Sequence, residues 1–92
     1  MNVTPKELEL IINIAESNYV DDLECAVRYG TWTITLGSDG PFKITPRSVS
    51  GRVSSLVKKN LVVNSVEKDP RESTCRLTEA GAEVYRNWKE RK

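Results

Sequence analysis

The sequence predicts an α+β domain, helices packed with one β-hairpin, and three observations predict it. Residues 45 to 60 carry apolar side chains at helical spacing; β-branched runs on either side of a polar, proline-containing turn read as a hairpin; and Thr4 and Thr78 each open an apolar helical pattern. At 92 residues, 1–92 form one domain with a single modest core, too short for a deep catalytic cleft plus a second module.

The first helix starts at Thr4, Pro5 and Glu7. This T-P-x-E order combines an N-cap, a first-position proline and the acid of a capping box three residues on. Leu8, Ile11, Ile12 and Ala15 make its inward stripe and Leu10 and Ile14 widen it, so the helix is expected to be the central post of the core and to end near Ser17 to Tyr19. Residues 20 to 44 are less legible. Asp21 or Asp22 can cap a helix over 22–29, while TWTITL at 31–36 alternates like a strand; if a second helix precedes the next one, either 22–29 or 32–37 supplies it. The earlier segment is favoured, Trp32 to Leu36 being a short strand or a helix overriding its propensity, with Trp32 a core residue. Gly37 to Pro41 form a loop.

The stretch TPRSVSGRVSSLVKKN, 45–60, organises the rest. Thr45 is the N-cap, Pro46 stands at the first helical position, Lys58 and Lys59 suit the C-terminal dipole, and Asn60 can take the left-handed conformation that ends a helix. Val49, Val53, Leu56 and Val57 are the inward stripe; Arg47, Ser48, Gly51, Ser54, Ser55 and Lys58 face outward. Short hydroxyl side chains let such a face approach another surface, and cations on it can reach phosphates or base edges. An ordinary amphipathic helix with a solvated face reads the same way. After it, LVVNSVEK and STCRL form the hairpin, with Lys68, Asp69, Pro70, Arg71 and Glu72 as its exposed tip. Thr78 then caps a last helix carrying Ala80, Val84 and Trp88 on one side and Tyr85 flanking.

Charge is distributed by segment. Residues 1–39 hold seven acids against two bases, whereas 40–66 hold Lys43, Arg47, Arg52, Lys58 and Lys59 with no acid, although the whole chain is only +1. The domain is therefore expected to have two electrostatic faces. With no His, and with Cys25 and Cys75 far apart, zinc spacings cannot be assembled and the commonest general base is missing. No metal, no cofactor and no enzymatic chemistry are expected, and both cysteines read as small buried hydrophobes. Acid pairs such as Asp21 with Asp22, or Glu7 with Glu9, read as solvated helix faces. No apolar run approaches the roughly 18 residues of a membrane span and the start lacks a signal-peptide order, so a cytoplasmic chain is expected.

A basic helix ending SSLVKKNLV, a hairpin with a charged tip and then RLTEAGAEVY together resemble the winged-helix domains of MarR-like and related bacterial or phage regulators. The resemblance covers residues 45–85 well and 20–44 poorly. It implies a winged helix, a three-helix core with a β-hairpin wing and a C-terminal helix. It also implies that the helix at 46–59 enters the major groove of double-stranded DNA and that the wing tip at 68–72 meets the backbone or minor groove. Carried over by position, Lys43, Arg47, Ser48, Ser50, Arg52, Ser54, Ser55 and Lys58 are the helix-side contacts, and Lys68 and Arg71 those of the wing. Asn60 stands where the family usually has glycine. Full-length MarR-like proteins have extra helices for dimerisation and ligand sensing, and 92 residues are not expected to hold them. The function expected is sequence-specific DNA binding in transcription regulation; the alternative is a winged-helix module that binds a protein partner, which the near-neutral total charge favours. Tyr85, Trp88 and the exposed side of the first helix offer a seam for a homodimer.

Overall fold

The computed structural model describes residues 3–16, 27–28, 30–32, 42–65 and 73–91. Its elements are α1 (Pro5–Glu16), β1 (Thr31–Trp32), α2 (Pro46–Lys58), β2 (Val62–Ser65), β3 (Thr74–Leu77) and α3 (Glu79–Glu90). Val27 and Arg28 are also helical, in agreement with the earlier of the two expected positions for a second helix. The rest of the helix expected over 22–29, the rest of the 32–37 alternative, the loop expected at 37–41, the helix end expected at 17–19, the wing tip expected at 68–72 and Cys25 lie outside the described residues.

α1 starts as its capping box requires. The Thr4 N–H donates to Glu7 Oε1 at 2.9 Å and the Glu7 N–H donates to Thr4 Oγ1 at 3.2 Å, so two donors with no intrahelical partner are satisfied reciprocally. Every residue from Leu10 to Ala15 is buried, Asn13 included, as befits a helix surrounded by the rest of the chain. Leu8, expected on the inward stripe, is only partly buried.

β1, β2 and β3 form an antiparallel sheet in the order β1-β3-β2, with Thr31 opposite Cys75 and Val62 opposite Leu77. Directly opposed residues share a face, so Thr31, Cys75, Leu77 and Val62 point together into the core with α1 and α2. This register corrects the expectation for Trp32. Alternation allows only one of Thr31 and Trp32 inside; pairing with Cys75 chooses Thr31, and Trp32 stands on the outer face, 49% exposed. Cys75 is buried as expected, and burial pushes its thiol up to about 12, which leaves it without thiolate character at neutral pH.

α3 also sits differently from its expected stripe. Thr78 caps it, accepting from the Gly81 N–H at 3.1 Å, but the buried residues are Gly81, Ala82 and Tyr85, while Ala80, Val84 and Trp88 lie half-buried to one side. The cause is a close approach. A Cβ on Gly81 would collide with the Leu61 carbonyl oxygen, so the backbone of α3 is seated against the chain leaving α2 and its Gly81–Tyr85 side turns inward. The Thr78 hydroxyl donates to the Asn60 carbonyl at 2.9 Å and the Thr78 N–H to the Leu61 carbonyl at 3.0 Å, fixing the same junction. Tyr85 is core, its hydroxyl donating to Glu16 at 2.9 Å, and does not offer a free seam.

Candidate nucleic-acid interface

α2 has the ends its sequence specifies. Thr45 accepts from the Ser48 N–H at 3.3 Å and Pro46 stands in the first turn. At the other end Asn60 has φ 61°, the Asn60 N–H reaches Val57 O at 3.0 Å and the Leu61 N–H reaches Leu56 O at 3.0 Å. Those paired bonds are the Schellman arrangement, with asparagine taking the place that glycine usually fills.

Around its axis α2 divides into three stripes. Val49, Val53 and Leu56 are buried. Ser48, Arg52, Ser55 and Lys59 are half-buried on the next flank. Arg47, Ser50, Gly51, Ser54, Val57 and Lys58 are exposed and, at about 100° per residue, fall within an arc of about 120°. Val57, expected on the inward stripe, is 42% exposed, because it lies about 100° beyond Leu56 at the edge of the outer arc.

Among the expected contact residues, Arg47, Ser50, Ser54 and Lys58 therefore share one open face, and exposed Lys43 precedes it on the segment that leads into the helix. Ser48 is occupied locally, its hydroxyl 2.9 Å from that of Thr45. Arg52 and Ser55 do not project with Arg47. Arg52 Nη1 donates to Glu9 Oε2 at 3.0 Å and to the Lys6 carbonyl at 3.2 Å, and its side chain is 16% exposed. Ser55 Oγ donates to Glu7 Oε2 at 2.6 Å. Both are held on the flank facing α1, since that is where the acids of the first helix stand. Lys68 and Arg71 lie outside the described residues.

Three residues of α1 make tertiary contacts that the sequence reading did not give: Glu7 and Glu9, expected on a solvated helix face, and Asn13. Glu7, 4% exposed, accepts from Ser55, from Lys59 Nζ at 2.6 Å and from Thr4. Burial by itself raises its pKa, but the hydrogen bonds from Lys59, Ser55 and Thr4 outweigh it and hold the carboxyl down at about 2. Glu9 takes Arg52. Asn13, fully buried, donates from Nδ2 to the Phe42 carbonyl at 2.9 Å and accepts from the Phe42 N–H at 3.1 Å, which clasps the lead-in to α2 as a strand partner would. The signal for Asn13 was a lone amide inside the apolar run LIINIA.

Among the described residues, no helix is long and apolar enough to cross a membrane. No protein-family model, curated protein or solved structure matches the chain.

Proposed function

We propose that this protein is a small winged-helix protein that binds double-stranded DNA sequence-specifically, a transcription regulator of MarR-like type with no chemistry of its own. In this reading α2 lies in the major groove and the turn at 68–72 lies on the backbone or in the minor groove. The observation that carries it is the outer face of α2. Arg47, Ser50, Gly51, Ser54 and Lys58 form an exposed polar strip without a single acid, spanning about 16 Å along the helix. Small side chains permit close approach to a groove floor, Arg47 near the helix start is where base edges are read, and Lys58 three turns on suits a phosphate. The hairpin strands directly after α2 and the three-stranded sheet are compatible with a wing beside that helix. Arg52 and Ser55 leave the contact set, because their polar groups are engaged with α1.

A second reading has its own observation. Val57 is exposed at the edge of the strip, and apolar surface beside cations suits an acidic protein partner. One experiment separates the two. A duplex selected from a randomised pool and a scrambled duplex are titrated with wild type, Arg47→Ala and Lys58→Ala. Arg47→Ala is expected to cost about 1–3 kcal/mol on the selected duplex and to reduce discrimination. Lys58→Ala should weaken both duplexes alike. Absence of salt-dependent affinity for any duplex at low ionic strength overturns the DNA reading in favour of a protein partner.

A further inference from the structure

We infer that Glu7, Glu9 and Asn13 of α1 are positioning residues that fix the orientation of α2, and with it the discrimination of the outer strip between duplex sequences. The second half of this inference rests on the DNA reading; the first does not. Apart from these residues and the Arg52 bond to the Lys6 carbonyl, the contact described between the helices is aliphatic, Leu10, Ile11 and Ile14 sharing one core cluster with Val49, Val53 and Leu56. Apolar contact is non-directional, so it holds two helices together without settling how far one is rolled about its axis. The polar tethers do settle it. Asn13 grips the chain at Phe42, Glu9 grips Arg52, and Glu7 grips Ser55 and Lys59, so α2 is held ahead of its first turn, at its middle and at its end. The three gripped positions on or just past the helix, 52, 55 and 59, lie on one flank, the geometry that resists roll.

The scale of the effect follows from helix dimensions. Side chains extend α2 to a radius of about 5–6 Å, so a roll of about 20° displaces the outer strip by about 2 Å. Hydrogen bonds to base edges tolerate only a few tenths of an ångström beyond about 3.2 Å. Contacts to phosphates, made by long flexible cations, tolerate more. Loss of a tether should therefore lower discrimination while leaving affinity for scrambled DNA nearly intact. Removing both partners of a polar pair together leaves no unpaired charge, which keeps the effect on stability small.

The test uses Glu9→Met/Arg52→Met, which deletes one tether whole, and Glu7→Gln, which alters no candidate DNA contact. Residual dipolar couplings of the α1 and α2 amides in the DNA-free protein read the angle and roll between the helices. The expected result is a changed or more broadly distributed roll of α2 in both variants, with the urea midpoint of the Met pair within about 0.5 M of wild type. On duplexes, the ratio of selected to scrambled affinity should fall about fivefold, equivalent to one base-edge hydrogen bond. Wild-type couplings in both variants overturn the positioning role. An altered roll with an unchanged affinity ratio overturns its link to discrimination. Failure of the wild-type protein to bind any duplex removes the DNA reading, and the couplings still decide whether the tethers orient α2.

Discussion

Glu7 shows how a single side chain can be half legible. Its place three residues after Thr4 marks it as a capping-box acid, and both reciprocal bonds are present. Its other partners, Ser55 and Lys59, are 48 and 52 residues away and meet it only because α1 packs across the flank of α2. Local spacing carries no trace of that, and the same is true of Arg52, whose partner Glu9 is 43 residues distant. A consequence of the crowding around Glu7 is a pH dependence of definite sign. Its folded pKa of about 2 lies below the ordinary 4.5, so the stability it contributes is fully present above about pH 4.5 and is lost as the pH falls towards 2. Urea midpoints measured from pH 7 to pH 2 should fall for wild type through that window, and Glu7→Gln should be less stable at pH 7 but flatter below pH 4.5. Parallel curves for the two proteins would show that Glu7 is not the group responsible.

At the level of elements, the local signals that fall on described residues match what the structure contains there. Caps at Thr45, Asn60 and Thr78, the proline in the first turn of α2 and the β-branched strands of the hairpin each depend on neighbours within a few residues. What it leaves unstated is how an element is turned. Trp32 and Val57 face out, and α3 is seated on Gly81 and Tyr85 instead of Ala80, Val84 and Trp88, because sheet register and one close backbone contact choose among faces that periodicity leaves equivalent. Two glycines within the described helices make this measurable by the same substitution. Gly51 has open space where a Cβ would stand, so Gly51→Ala should stabilise the protein by about 0.5–1 kcal/mol through helix propensity. Gly81→Ala places a methyl against the Leu61 carbonyl and should cost about 1–3 kcal/mol, since the α2–α3 junction has to open. Urea midpoints moving in the same direction for both would mean that the junction is looser than its geometry indicates.

For the whole molecule, the division of charge along the chain overstates the charge the folded surface presents. The basic block at 40–66 has five cations and no acid, yet folding brings Glu9 onto Arg52 and Glu7 onto Lys59, so acids of the first segment neutralise two of them. Lys43, Arg47 and Lys58 remain exposed without an ion pair among the described residues. Binding to duplex DNA releases about 0.9 counterion per phosphate neutralised, so those three predict a slope of log affinity against log salt of about −2.7, rising to about −4.5 if Lys68 and Arg71 also reach the backbone. The paired cations distinguish this account from the sum of the sequence. Lys58→Ala should reduce the magnitude of the slope by about 0.9, whereas Arg52→Ala should leave it unchanged and instead lower stability by about 0.5–1.5 kcal/mol, the usual worth of a hydrogen bond at a partly buried site. Titrations between about 50 and 200 mM salt, with urea unfolding of the same two variants, measure both quantities. A slope that drops equally for Arg52→Ala and Lys58→Ala would mean that DNA pulls Arg52 away from Glu9, and that the α1–α2 ion pair is exchanged for a phosphate on binding.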